Sequence, residues 1–164
     1  MRFVFAMAMS LFFITGCQST YYSAMEKVGV HKRDIMVDRV EDARTAQQEA
    51  QEEFSSALEA LSALTQFDGG DLESMYKKIN AKYEDSVDAA ETVSSRISSI
   101  EDVSDALFEE WEEELTLYTS SKLRRDSESK LKQTKTSYNT MLRAMKRAEK
   151  KMTPVLNTLQ DNTL

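Results

Sequence analysis

The side chains that most often carry catalysis are scarce in this chain. His31 is the only histidine and Cys17 the only cysteine among its 164 residues. A histidine-dependent catalytic triad would have to be built around His31, but the stretch around it is polar and offers no nucleophile in a strand-turn-helix context. We therefore interpret His31 as a surface residue, and we expect the protein to be no enzyme and to hold no cofactor.

Four glutamates are the other candidates for chemistry. Glu109 and Glu113 share one helix face, and so do Glu110 and Glu114, because residues four apart are neighbours on a helix. Paired carboxylates can bind a hard cation, but a calcium-type site also needs a loop of alternating oxygen ligands with a turn glycine, which is missing around them. We expect a solvated acidic face that meets lysines, and no metal site.

Cys17 stands where a lipid can be attached. In residues 1–16, Arg2 precedes an apolar stretch that is too short to span a bilayer, as in a signal peptide. The stretch ends in Ile14-Thr15-Gly16-Cys17, which resembles the lipobox of bacterial lipoproteins. The resemblance implies cleavage before Cys17, a diacylglycerol group on its thiol and an acyl chain such as palmitate on its amine, which together form a durable membrane anchor. Gln18, in place of aspartate, implies by the same resemblance the periplasmic face of the outer membrane.

Residues 17–33, between the lipid and the first long helix, combine aromatic and basic side chains. Tyrosine rings and cations suit a membrane interface. The segment can therefore touch lipid headgroups, or it can pack over the end of the helical domain that carries Trp111, and the sequence leaves both alternatives open. The residues concerned are Tyr21, Tyr22, Lys27, Lys32 and Arg33.

The rest of the chain, residues 34–164, is predicted to be one helical domain. The whole chain has only four glycines and one proline, which favours long helices over sheets. Apolar residues recur in alternating steps of three and four, which is a heptad pattern. The first run extends from Met36 to Leu64, the second from Leu72 to Tyr118 and the third from Leu123 to Leu159, where Pro154 is expected to kink or end the helix.

Three such helices joined by short turns predict an all-α fold, an elongated antiparallel three-helix coiled-coil bundle. Gly69 and Gly70 mark the first turn and Asp71 is expected to cap the second helix. A weaker turn signal lies at residues 119–121. The second helix would extend about 70 Å if unbroken, and a break near Ser98 and Ser99 stays open.

Charge is segregated along the chain. Residues 38–114 hold 22 acidic and 6 basic side chains, a net charge of −16, whereas residues 122–151 hold 11 basic and 3 acidic ones, a net charge of +8. This complementarity favours antiparallel pairing of the second and third helices. We interpret the basic third helix as a partner of its acidic neighbour, and we expect no nucleic-acid binding.

The lengths of the helices predict an incompletely covered end. The first helix turns near residue 69 and can reach back only to about residue 104 of the second. Beyond that point the third helix alone covers the apolar side chains, so the membrane-proximal segment, a second copy or another protein must complete this end. The predicted contact residues are Leu107, Trp111, Leu115 and Tyr118, with Trp111 as the expected hot spot.

Four stretches of the chain form a recognisable set: the run from Tyr21 to Asp34, its continuation from Val37 to Arg44, the hexapeptide Ala106–Trp111 and the run from Met152 to Leu156. Together they resemble an uncharacterised family of Gram-negative envelope proteins, the domain-of-unknown-function 2959 family. The resemblance covers nearly all of the chain after Cys17 and brings no assigned activity, cofactor or catalytic residue. It also implies a further helical stretch after Leu164, so that this chain would be a truncated member.

These observations predict a non-catalytic envelope lipoprotein, a helical spacer or adaptor that contacts another protein or a second copy. An alternative is a carrier of lipid or a small apolar ligand, in which the methionine-rich third helix opens to admit the molecule. The methionines concerned are Met141, Met145 and Met152.

Overall fold

A computed structural model describes residues 21–22, 24–26, 29–65 and 71–162 of the chain. It is an all-α bundle whose helices pack against one another. Four helices follow in order: α1 (Lys32–Thr65), α2 (Leu72–Leu117), α3 (Ser121–Lys150) and α4 (Met152–Asp161). Cys17, Lys27, the side chain of Leu64 and the Gly69–Gly70 turn lie outside the described part of the chain.

Helix α2 is one continuous helix of 46 residues, with no break at Ser98 or Ser99. At 1.5 Å per residue it extends about 69 Å. Asp71 caps its first turn, because the side-chain Oδ1 accepts a hydrogen bond from the backbone N–H of Ser74 at 3.2 Å. Among the described residues, no helix combines the length and the apolar character that crossing a bilayer requires.

Helices α1 and α2 form the most extensive contact of the fold. The side of α1 that faces the core carries small residues, which allow two helix backbones to approach closely. The facing side of α2 is lined by β-branched residues and two buried serines, Ser86 and Ser104. Each serine hydroxyl donates a hydrogen bond to the carbonyl four residues earlier, which satisfies it without a partner helix. The buried residues of α1 in the large core are Ala43, Ala46, Ala50, Phe54 and, next to them, Ala57 and Ala60.

The third predicted helix is two helices in the structure. Helix α3 ends at Lys150, Lys151 forms the junction, and α4 begins at Met152. The break lies three residues before Pro154, because proline fits the first turn of a helix but removes a backbone donor from its interior. Helix α3 packs on α2, and α4 packs on both α2 and α1.

The heptad pattern identified most of the core but extended too far at its ends. Leu72, Tyr76 and Leu123 belong to the predicted runs, yet they are 61%, 50% and 55% exposed. They lie near the ends of α2 and α3, where no described helix faces them. Conversely, Val103 and Phe108 are buried in α2 although the heptad pattern placed its apolar positions at the neighbouring Ser104 and Leu107.

Candidate protein-contact site at the Trp111 end

Trp111 lies on α2 and faces the start of α3. Its indole Nε1 donates a hydrogen bond to Ser127 Oγ at 2.8 Å, and the guanidinium carbon of Arg33 lies 5.7 Å from the ring centroid. The ring is half-buried and packs against the main core. A cation over an indole face is attracted by the negative charge of that face, so Arg33 covers part of the surface that would otherwise meet solvent.

The other predicted contact residues surround Trp111. Leu107, Leu115 and Tyr118 are half-buried, and the hydroxyl of Tyr118 donates a hydrogen bond to Glu114 Oε1 at 2.8 Å. Leu117, one residue before Tyr118, is 78% exposed. The four predicted residues therefore form one partly covered apolar surface, and its role in protein contact stays a prediction.

The described part of the N-terminal segment, residues 21–22, 24–26 and 29–31, packs over this end of the bundle. Tyr22 is 6% exposed and forms a small buried cluster with Ile35 of α1 and Val103 of α2. Tyr21 is 45% exposed, and its ring meets that of Tyr22 edge-on, with 5.4 Å between the centroids. Tyr22 therefore packs on the helical bundle, and contact of the exposed Tyr21 with lipid headgroups stays a prediction.

Gly29 reverses the chain so that this packing is possible. Its φ of +85° is a left-handed conformation that glycine adopts without strain. The backbone N–H of Gly29 bonds the carbonyl of Glu26, and that of Val30 bonds the carbonyl of Met25, both at 3.0 Å. These two bonds are a Schellman motif, which ends the helical turn at residues 24–26 and leads the chain into α1.

Lys32 joins the segment to α2. Its Nζ lies 2.5 Å from Glu26 Oε1 and 2.9 Å from Glu110 Oε2. Burial disfavours the charged ammonium, but the hydrogen bonds to Glu26 and Glu110 outweigh it and raise the pKa of Lys32. Burial also raises the pKa of the Tyr22 phenol. Both groups therefore keep their neutral-pH charge states well into the alkaline range.

An apolar groove of about 730 Å³ separates α1 from α3 next to Trp111. Arg33 and Lys130 stand at its rim. Gln47 crosses between the two helices farther along, where its Nε2 donates to the carbonyl of Met145 at 3.4 Å. The apolar lining consists of Met36, Val37, Val40, Leu107, Trp111, Tyr138 and Met141.

The remaining chemical candidates are dispersed. His31 is exposed. Of the four predicted glutamates, Glu110 is the one that pairs with a lysine among the described residues, Lys32; the neighbouring Glu112 pairs with Lys135 at 2.5 Å. Within the described part of the chain, no three His, Cys, Asp or Glu side chains come together as a metal site would require.

Sequence reasoning missed three contacts at this end. Phe108 packs its ring edge-on against Tyr138, with 5.4 Å between the centroids, and Lys135 Nζ lies 5.3 Å from the same Phe108 ring centroid. Ser127, which receives the indole hydrogen bond, stands in a polar stretch of α3. Phe108 carried a signal, since it is four residues after Ser104 on the buried face, whereas nothing in the sequence marked Ser127.

The comparisons with known proteins give a family and no activity. The class that the fold defines is an all-α bundle whose N-terminal segment docks onto its longest helix. The model of the family described as Protein of unknown function (DUF2959) matches residues 21–164. The chain therefore belongs to that family. No curated protein and no solved structure matched.

Proposed function

We propose that this protein is an envelope lipoprotein, tethered through Cys17 at the periplasmic face of the outer membrane, that acts as a non-catalytic helical spacer or adaptor. The observation that carries the proposal is the docking of the segment next to the tether onto one end of an unbroken helix. Tyr22 packs on Val103, and Lys32 pairs with Glu110. A lipid anchor on Cys17, followed by this docked segment, would attach the elongated bundle to the membrane by one end.

The distances suit a spacer. Cys17 precedes Tyr22 by five residues, which span at most about 18 Å when fully extended. From Val103, where Tyr22 docks, α2 continues for about 47 Å to Leu72. Leu72, at the start of α2, would thus stand several nanometres farther from the tether than Trp111.

The predicted partner surface lies at the tethered end. Leu107, Trp111, Leu115 and Tyr118 are only partly covered, and aromatic residues at such surfaces dominate binding energies. The polar side chains next to this surface hold the end of the bundle together, since Lys32 pairs with Glu110 and Trp111 donates a hydrogen bond to Ser127.

Fluorescence energy transfer to headgroup-labelled lipid tests the spacer. One dye is placed at Lys78→Cys near the far turn and, in a separate variant, at Thr119→Cys beside the near turn; both positions are exposed. The two lie about 62 Å apart along α2. We expect strong transfer from residue 119 and little from residue 78. Equal transfer from both would mean that the bundle lies flat on the membrane, and the spacer role would be abandoned.

The tether has its own test. Cys17→Ser should move the protein from the membrane fraction to the soluble fraction, and metabolic labelling with palmitate should be lost with it. Cys17 is the only cysteine, so the substitution has no disulfide to disrupt. Retention of the Cys17→Ser protein in the membrane fraction would contradict a lipid anchor.

A second candidate function, a carrier of lipid or a small apolar ligand, is favoured by the groove between α1 and α3. Its volume of about 730 Å³ is within the range of ligand pockets, and flexible methionines can adjust to an apolar guest. Met141 lines this groove, Met152 lines a second one, and Met145 is buried between them. Native mass spectrometry of the purified protein should then show bound lipid, and lipid-free spectra would count against the carrier.

A further inference from the structure

Two outward faces of the bundle carry opposite charges that no described partner neutralises. On α3, six exposed cations fall within an arc of about 80° when residues are placed at 100° intervals around the helix. No acidic residue of α3 falls in that arc, and none of the six has a carboxylate within ion-pair distance among the described residues. This basic stripe consists of Lys122, Arg125, Lys132, Arg143, Arg147 and Lys150.

Helix α1 carries a corresponding stripe of acidic side chains. Six exposed carboxylates fall within an arc of about 80° on the side of the helix across from the buried Ala43 and Ala50, and no basic residue of α1 falls in that arc. None of these six carboxylates takes part in an ion pair among the described residues. This acidic stripe consists of Asp34, Asp38, Glu41, Glu49, Glu52 and Glu59.

Glu52 lines a groove together with Lys151 of the same chain, but among the described residues no ion pair joins the two stripes within one molecule. They do lie at the same height along the bundle. Arg33 and Lys130 line one groove, and Gln47 contacts Met145. Helices α1 and α3 therefore run in the same direction, with residue n of α1 level with about residue n + 97 of α3.

We propose that the acidic stripe of α1 binds the basic stripe of α3 in a second copy of this chain. When two copies stand side by side, in the same direction and with no axial shift, Asp34 comes level with Lys132. Glu49 comes level with Arg147, and Glu52 with Lys150. The contact joins two different faces, so it is heterologous and continues into rows or closed rings.

The proposed contact requires that the two copies point in the same direction. Chains that are tethered at the same end in one membrane stand in the same direction, and confinement to the membrane raises their effective concentration. Exposed ion pairs are individually weak and are screened by salt, so association depends on several pairs forming together. The inference goes beyond the proposed function and does not require the tether.

Charge reversal tests the contact in the full chain, held in detergent micelles and followed by sedimentation velocity at low ionic strength. One variant carries Glu49→Arg and Glu52→Arg, and the other carries Arg147→Glu and Lys150→Glu. Each variant alone brings like charges together at the substituted positions of the contact. It should therefore sediment as a monomer, whereas the unmodified chain should associate. An equal mixture of the two variants restores opposite charges at every contact and should associate again.

A matched control reverses two exposed glutamates of α2 that lie outside both stripes, Glu84→Arg and Glu91→Arg. This variant changes the net charge as much as the α1 variant does and should still associate. A monomeric unmodified chain at low salt, or a mixture that stays monomeric, would overturn the proposal. So would association that is lost with the α3 variant but kept with the α1 variant, since another anionic surface would then be the partner of α3.

Disulfide crosslinking tests the direction of the copies. In a Cys17→Ser background, chains with Glu52→Cys and chains with Lys150→Cys should crosslink when mixed. Lys122→Cys, about 42 Å from residue 150 along α3, serves as the control partner and should not react. Preferred crosslinking of Glu52→Cys to Lys122→Cys would refute the side-by-side arrangement. Neither test depends on lipid attachment. A negative result would therefore count against association of the copies and not against the proposed lipid anchor.

Discussion

The interface between α1 and α2 differs in kind from that between α2 and α3. The first is built of alanines facing Ile and Val side chains that are almost entirely buried. The second is less extensive and rests on a few larger side chains, Leu131, Tyr138 and Met145, together with ion pairs such as Lys146 with Glu101 at 2.6 Å. The same helix, α2, therefore has one tightly packed neighbour and one lightly attached neighbour.

This difference indicates which part of the molecule is the rigid scaffold. Small residues bring α1 and α2 close together along their length, so any loss of volume between them leaves a cavity. Helix α3 stands apart from α1, with the groove between them, and its outer face carries the charges. Helices α1 and α2 are therefore the more tightly packed pair, and α3 is the less extensively packed helix.

Ile97→Ala should have the largest effect, because it creates a cavity in the tight interface. Ile97 is 2% exposed, and comparable truncations lower the free energy of unfolding by about 3 kcal/mol. Urea unfolding followed by circular dichroism measures the change. Leu72→Ala, at a residue that is 61% exposed on the same helix, is the control and should change stability by less than about 0.5 kcal/mol. Equal effects of the two would remove the distinction between core and surface in α2.

Leu131→Ala tests the lighter interface. Leu131 is 6% exposed, and we expect a loss of about 2 kcal/mol together with faster amide hydrogen exchange in α3. Protection of α1 and α2 should be retained, because their contact does not involve Leu131. Leu123→Ala, on the same helix but 55% exposed, should leave exchange unchanged. Simultaneous loss of protection in all helices would show that the bundle is one cooperative unit.

Trp111→Ala should cost less stability, about 1 kcal/mol, since the ring is half-buried and loses mainly one hydrogen bond and its packing. Helicity should stay nearly intact, while capture of a partner or self-association weakens. Sedimentation equilibrium together with circular dichroism measures both. Trp111→Phe keeps a ring and should retain most of the association. If Trp111→Ala lost helicity and left association unchanged, Trp111 would be a core residue only.

The smallest effect is expected from alkaline pH on the docked N-terminal segment. The pKa of Lys32 is raised from 10.5 and that of Tyr22 from 10.0 in the folded protein. A raised pKa stabilises docking fully below the unfolded value, and this stabilisation is lost as the pH rises through the folded value. Limited proteolysis should therefore cleave residues 21–31 faster above about pH 10.5 than at pH 8. Lys32→Met should show fast cleavage already at pH 8, and equal cleavage at both pH values in the unmodified chain would contradict the docking role of these groups.

Most of the fold could be predicted from the residue pattern, because heptad spacing and a shortage of helix breakers are local properties. The start of α2 at Leu72 was predicted from Asp71, whose carboxylate caps the helix. The division between α3 and α4 at Lys151 was not predicted. Pro154 indicates that the helix is kinked or ends nearby, but it does not indicate at which preceding residue. Exposure of Leu123 was also missed, since a heptad pattern does not indicate where the neighbouring helix ends.

The candidate site was predicted less completely. The four apolar residues around Trp111 followed from helix lengths, which are sums of local steps. The contacts by which Arg33 and Lys32 cover this end could not be predicted. Aromatic and basic residues suit a membrane interface as well as they suit packing on the bundle. The packing of Tyr22, Lys32 and Arg33 became visible only in the structure, where the left-handed Gly29 turns the chain into α1.

The sequence by itself determined the helices, their order and the separation of charge, because periodicity, capping and charge are properties of short stretches of chain. Tertiary structure alone decided which helix packs tightly and which stands apart, since that depends on how alanines of α1 fit α2 across the bundle. It also brought the acidic stripe of α1 and the basic stripe of α3 to the same height on opposite outer faces. Residues about 97 positions apart become level only when both helices pack on the same third one.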